Sequence, residues 1–153
     1  MMRTLFLGSD HGGFGLKQEL VPILTAAGYA VEDCGVSDPA SVDYPDIAKI
    51  VCENVLDRPD SLGILLCGTG IGMSIAANKI DGIRAALCSE TYSARMARIH
   101  NDANVLCLGA RVIGVELARE VAMAFLSVTF EGGRHARRVE KITLLETTDW
   151  RCR

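Results

Sequence analysis

The sequence predicts an α/β fold, a three-layer α/β/α sandwich around a five-stranded parallel sheet, on three observations. Five short apolar runs rich in β-forming residues recur along the chain, and a pattern of helical period separates each from the next. Two more helical patterns follow the last run. Polar, glycine-rich stretches begin where the runs end: Ser9-Asp10-His11, Gly35 onward, Gly68-Thr69-Gly70, Ser89-Glu90 and Gly109-Ala110-Arg111. With right-handed crossovers, ligands bind beyond the carboxyl ends of such strands, near the switch point.

The first strand reads from Thr4 to Gly8 and the first helix from Phe14 to Ala27. Pro22 lies inside that helix and should kink or shorten it, because it lacks an N–H and its ring crowds the preceding turn. The second strand is Ala30 to Cys34. The longest loop follows, Gly35 to Tyr44 with Pro39, a candidate rim of the site. Pro45 opens the next helix, to Leu56, at a position where its missing N–H is no loss. Strand Leu62 to Cys67 leads into helix Ile71 to Asn78, and strand Ile83 to Cys88 into helix Thr91 to His100. Strand Val105 to Leu108 is last, before helices Val115 to Leu126 and Arg134 to Leu145; the tail from Glu146 to Arg153 shows no clear element.

No repeat, low-complexity tract or linker interrupts the pattern, and 153 residues form one expected domain, 1–153. Hydrophobic residues make up 49% and charged residues 23% of the chain, with a mean hydropathy of +0.23. No apolar run approaches the roughly 18 to 20 residues that cross a bilayer, and Leu5 to Leu7 is too short for a signal-peptide core. A soluble, unexported protein is expected. Net charge is −3, but residues 1–77 hold 4 Lys+Arg against 10 Asp+Glu, whereas residues 78–153 hold 12 against 9. This argues against a broad nucleic-acid surface, while Gly132 to Lys141 has the basic residues to meet a small anion such as a phosphorylated metabolite.

The six cysteines, at 34, 52, 67, 88, 107 and 152, never come closer than 15 residues apart. No C-x-x-C pair is present to hold zinc or an iron–sulfur cluster, and isolated cysteines in apolar runs suit reduced thiols in the cytoplasm. Cys67 differs from the others, because Gly68, Gly70 and Gly72 follow it at every second position. That loop is not a dinucleotide fingerprint, since the third glycine comes one residue early, and it has no Walker lysine. In the register of a C-x5-R phosphatase loop, Met73 stands where the phosphate-clamping arginine belongs.

Two readings of Cys67 remain. It is a buried strand cysteine before a turn, or a thiol whose thiolate is favoured by the backbone N–H groups that open the next helix. The same N–H groups could stabilise an oxyanion on a substrate, and a base beside such a cradle suits proton transfer α to a carbonyl.

Other segments leave similar alternatives. Asp10, after the first strand, is a helix cap or an acid–base group. His100, before Asn101 and Asp102, complements a helix dipole or does chemistry. Arg134 and Arg138, spaced i, i+4, share a face that could grip one phosphate, or they belong with His135 and Arg137 to a solvated helix face.

The motifs GSDHGG, DYPD, CGTGIGMSIAANK, GIRAALCSE, HNDANVL, LGARVIG and EGGRHARRVEKI occur in this order, from about Arg3 to Ile142. Together they resemble ribose-5-phosphate isomerase of the B type, within the group that includes galactose-6-phosphate isomerase subunits. The resemblance implies a cytoplasmic aldose–ketose isomerase of Rossmann-like fold that uses no metal or other cofactor. It also implies a homodimer or a homotetramer made as a dimer of dimers, with sites built from two subunits and the segment from about 134 to 153 contacting a partner.

Carried onto this chain, the resemblance makes Cys67 the base that moves a proton between C1 and C2 through an enediolate, with Thr69 beside it. His100, helped by Asp10, opens the furanose ring. Gly68, Gly70, Gly72 and Asn101 hold the enediolate or hydroxyls, and Tyr44 lines the sugar. His11, Arg111, Arg134 and Arg138 bind the phosphate. Some members use a glutamate further along the loop as base; here Cys67 is present and position 75 is isoleucine. The expected reaction is interconversion of D-ribose 5-phosphate and D-ribulose 5-phosphate. Allose 6-phosphate, galactose 6-phosphate or a tetrose phosphate are alternative substrates, and a non-catalytic sugar-phosphate sensor is the alternative of another class.

Overall fold

A computed structural model describes residues 2–147. Five parallel strands form one sheet in the order β2-β1-β3-β5-β4: β1 Thr4–Ser9, β2 Ala30–Asp33, β3 Leu62–Cys67, β4 Ala85–Leu87 and β5 Val105–Gly109. The helices are α1 Phe14–Ala26, α2 Tyr44–Asp57, α3 Ile71–Ala77, α4 Thr91–Asn101, α5 Val115–Leu126 and α6 Arg134–Thr147. The connection leaves β1 for β2 on one side and returns to β3 on the other, so the switch point lies between β1 and β3.

Alternation along the strands builds two cores. Leu5, Leu7, Ile64, Leu66, Leu106 and Leu108 face α1, α4 and α5, whereas Phe6, Leu65, Cys67 and Cys107 face α2 and α3. β3 is buried along its whole length and pairs on both edges, which explains its unbroken apolar run. α6 lies outside this sandwich, packed on α4.

Several boundaries differ from those the sequence predicts. α1 runs through Pro22 without a break, because that residue is exposed and the carbonyl it leaves unpaired one turn earlier belongs to exposed Gln18. β4 begins at Ala85, since the Ile83 amide closes a turn on Ile80 O and the Arg84 amide is taken by Asn104 Oδ1. Glu146 and Thr147 belong to α6 rather than to a tail, and the Glu146 carboxylate accepts from the Gly82 amide. Positions 148–153, with Trp150 and Cys152, lie outside the described residues.

The β2–α2 loop is anchored at its start by Lys17, which is 1% exposed. Its ammonium donates to both Asp33 carboxylate oxygens, at 2.7 and 2.8 Å, and to Val36 O at 2.7 Å. A buried cation so fully partnered ties α1 to the beginning of that rim.

Candidate active site

Three loops meet beyond the carboxyl ends of β1, β3 and β5. The strand ladder continues into them: the Asp10 amide donates to Leu66 O (3.2 Å), Ala110 to Cys67 O (2.9 Å) and Arg111 to Gly68 O (2.9 Å). Close approach of backbones is what the glycines permit. A Cβ on Gly12 would stand 3.1 Å from the Gly68 nitrogen, so the GSDHGG and CGTGIG segments touch at the switch point. On Gly72 it would enter the Tyr44 ring at 2.8 Å, which places the phenol from the far rim directly over the glycine loop. The Arg111 guanidinium lies over Gly68.

Cys67, 5% exposed, ends β3 at this junction. Its Sγ accepts the N–H of Gly70 at 3.1 Å. Gly70 itself has φ +76°, a left-handed conformation that turns the chain into α3 and aims its amide back at the sulfur. Thr69 Oγ1 accepts from the Ile71 amide at 3.3 Å. The remaining first-turn amides of α3, those of Gly72 and Met73, have no acceptor within the helix.

Among the five described cysteines, all free thiols, only Cys67 takes a hydrogen bond from a loop amide. Burial pushes the Cys52 thiol up to about 12 and that of Cys88 up to about 11. Burial also raises Cys107 well above the usual range and raises Cys34, where Glu32 and Asp33 add to the effect. These four are held as neutral thiols.

Asp10 is 8% exposed, and its Oδ1 accepts from the Gly13 amide at 3.0 Å. It therefore fastens the turn that leads into α1 while its carboxylate stays beside Gly12 and the Cys67 loop. His11 is exposed on the same loop. One end of the sheet thus gathers Asp10, His11, Tyr44, Cys67, Gly68, Thr69, Gly70, Gly72 and Arg111.

The other predicted residues lie elsewhere. α4 starts beside the carboxyl ends, where the Glu90 carboxylate caps it by accepting from the Tyr92 and Ser93 amides at 2.6 and 2.8 Å. It then runs back along the sheet and stops at Asp102, φ +47°, which is clamped by Arg98 (2.8 Å) and Arg84 (2.9 Å). His100 and Asn101 therefore lie level with the start of β5, where Asn104 O accepts from the Gly63 amide. From Gly63 to Cys67 is a strand length of about 13 Å. A single chain does not bring His100 to Asp10 or Cys67.

Arg134 and Arg138, on α6, share the His100 end of the molecule because α6 packs on α4. They are accordingly apart from His11 and Arg111. The alternative in which His135 belongs with them to a solvated face does not hold for that residue, since His135 is buried at 6% exposure. Its ring stacks on that of His100 with centroids 4.2 Å apart and planes 10° from parallel. The run "EGG" before Arg134 was the available signal: Gly132 (φ +70°) and Gly133 (φ +53°) turn the chain so that His135, in the first helical turn, faces inward while its neighbours stay exposed.

His100, Glu131 and His135 also bring their ligand atoms within 4.8 Å of one another, a histidine–carboxylate cluster that the sequence did not show. Stacked rings direct their nitrogen lone pairs side by side rather than toward one point, and Arg134 Nε donates to His135 Nε2 at 3.4 Å. This arrangement is a stack, not a preformed chelate.

Residues 5–142 match the family model described as Ribose/Galactose Isomerase. The chain belongs to the ribose/galactose isomerase family. It is 50% identical to ribose-5-phosphate isomerase B of Escherichia coli K12, over 95% of this chain and 97% of that protein. It is 47% identical to a D-erythrulose-4-phosphate isomerase of Pectobacterium atrosepticum, over 95% and 96%. Among solved structures, ribose-5-phosphate isomerase B of Clostridium thermocellum superposes with a TM-score of 0.92 at 51% identity, covering 94% of this chain and 97% of that one. The Rossmann-like fold expected from the sequence is thereby shown, and a phosphorylated sugar as substrate follows from membership of this isomerase family.

Proposed function

We propose that this isomerase interconverts D-ribose 5-phosphate and D-ribulose 5-phosphate, with Cys67 as the base. The observation that carries the reading is the Gly70 amide held 3.1 Å from the Cys67 sulfur, at the point where the β1 and β3 loops touch. An amide hydrogen aimed at sulfur becomes a charge-assisted donor whenever the thiol has given up its proton.

The chemistry has three parts. Ring opening needs a proton delivered to the ring oxygen and one removed from the C1 hydroxyl, work assigned to His100 with Asp10. The Cys67 thiolate then takes the C2 proton of the open aldose and returns it to C1, while a proton passes from O2 to O1. The enediolate formed in between is held by the glycine-loop amides of Gly68, Gly70 and Gly72, by Asn101 and by Thr69 at the edge of the loop. Tyr44 covers the sugar, and His11, Arg111, Arg134 and Arg138 bind the phosphate, which anchors the far end of the substrate.

These groups occupy opposite ends of one chain, so the working site joins the Cys67 end of one subunit to the His100 end of another. A homodimer, alone or paired into a tetramer, satisfies this with two equivalent sites. Exposed Ile71, Ile75 and Val112 beside the Cys67 loop, and Ile142, Leu144 and Leu145 on α6, supply apolar surface for such contacts. Among the described residues no helix is long and apolar enough to cross a membrane. A base that must stay a free thiol supports work in the cytoplasm.

The Pectobacterium relative makes a four-carbon substrate the second reading. Initial rates on D-ribose 5-phosphate, D-erythrose 4-phosphate and D-allose 6-phosphate decide between them. A kcat/KM highest on the pentose supports the proposal, and turnover confined to the tetrose or hexose overturns it.

A further inference from the structure

We infer that His135 is a positioning residue for His100: a flat, buried plate that sets the imidazole plane from which His100 opens the sugar ring. The inference rests on the ring-opening role given to His100 above and adds a residue outside that set.

Four observations carry it. The two rings are stacked at 4.2 Å and 10°, so rotation of the His100 ring about its Cβ–Cγ bond is blocked on one face. His135 is buried and His100 half-buried, which makes His135 the fixed member of the pair. The backbone is built to hold it. The Glu131 amide donates to Ile99 O at 3.1 Å, tying the α5–α6 loop to the last turn of α4 beside His100. The His135 and Ala136 amides then donate to Gly132 O (3.0 Å) and Gly133 O (3.2 Å) across the two left-handed glycines.

The fourth observation concerns charge. Burial, with His100 and Arg134 as its neighbours, holds the His135 imidazole below the usual histidine range; Glu131, whose carboxylate is 3.7 Å away, opposes the shift, and Arg138 adds to it weakly. The Arg134 Nε–H directed at Nε2 agrees, because only an unprotonated nitrogen can accept it. A neutral ring offers its π face to a neighbour that carries a proton, whereas two charged imidazoles stacked at this distance would repel. The neutral His135 ring can thus lie flat against His100 without opposing it by charge. A group that acts only through orientation matters where direction of proton delivery matters, and misplacement by about 1 Å can cost on the order of a hundredfold.

The test compares a ring-forming substrate with an acyclic one. D-ribose 5-phosphate is mostly furanose, but D-ribulose 5-phosphate has its O5 phosphorylated and cannot close onto C2, so its initial consumption needs no ring opening. In the full-length enzyme, His135→Ala should lower kcat on the aldose at least tenfold with KM nearly unchanged. Ketose consumption should stay within about threefold of wild type. His135→Phe, which keeps a flat ring without a titrating nitrogen, should restore most of the aldose rate. Equal losses in both directions, or His135→Phe as poor as His135→Ala, overturn the inference in favour of a merely structural or a hydrogen-bonding role. Loss of wild-type activity on adding a chelator overturns it in favour of a metal held by His100, Glu131 and His135.

His100→Asn separates this from failure of the functional reading. If that variant keeps full aldose activity, His100 does not open the ring and the functional reading fails first. If it loses aldose but not ketose turnover while His135→Ala is unaffected, only the positioning role is lost.

Discussion

The Gly70 amide donates to the Cys67 sulfur at 3.1 Å, and the two residues lie on either side of the turn between β3 and α3. Removing the sulfur deletes the acceptor and the proposed base together while taking little from the core. Cys67→Ala should therefore lower kcat by at least about a thousandfold and unfolding free energy by only about 1 kcal/mol. Steady-state kinetics beside urea unfolding measure both; near-normal kcat removes Cys67 as the base.

Gly70 is the donor because only a left-handed residue aims its N–H that way. A Cβ there would stand 2.9 Å from the Leu108 carbonyl carbon, a backbone atom that cannot step aside, and 2.5 Å from a Leu87 methyl. Gly70→Ala should cost about 2 kcal/mol and much of kcat. Gly15→Ala is the contrast, since nothing lies within 4 Å of its Cβ and it sits in α1. It should gain about 0.5 kcal/mol and leave kcat unchanged.

If each site joins two subunits, Cys67→Ala and His100→Asn damage different halves of it. Each variant alone should be inactive on D-ribose 5-phosphate. Unfolding and refolding them as a 1:1 mixture should recover about a quarter of wild-type activity, because half the dimers are mixed and each has one intact site. Recovery of nothing would place both residues in one chain's site.

Asp102 holds the end of α4 by pairing with Arg98 and Arg84, and Arg98 is 7% exposed. Asp102→Ala would leave a buried guanidinium without its carboxylate. Because Asp102 is itself about one-third exposed, water recovers part of the loss, and a destabilisation of about 2 kcal/mol is expected. Thermal unfolding should show a Tm lower by roughly 5 °C. Arg98 also donates to Ala103 O at 2.7 Å, and an unchanged Tm would mean that this bond suffices.

Stability should also depend on pH through His135. In the unfolded chain this histidine takes up a proton near pH 6.5, whereas the folded state resists protonation until lower pH. The unfolded state then binds more protons, so stability falls as pH drops through about 6.5 and levels off below the folded value. His135→Phe should flatten that part of the Tm–pH curve. A wild-type Tm that does not fall between pH 7 and 5 contradicts this.

Periodicity made the strands and helices legible because burial selects side chains locally: a β3 apolar on both faces, an α4 with buried Ala94 and Ala97 at helical spacing. Pro22 misled, since its usual penalty is small where the freed carbonyl faces water. The shape of the Cys67 loop was legible as well, because its glycines and its cysteine are consecutive residues. His135 was not: a basic run reads as a solvated face, and burial of one member depends on how α6 meets α4.

The sequence by itself determined the α/β alternation, the family, and which short glycine-rich segments follow the strand ends, because these depend on neighbours along the chain. Only the tertiary structure decided that Cys67 and His100 stand at opposite ends of one chain and that His135 lies face to face with His100. Strand order and the antiparallel return of α4 set those separations, and no local pattern of residues encodes a distance across a sheet.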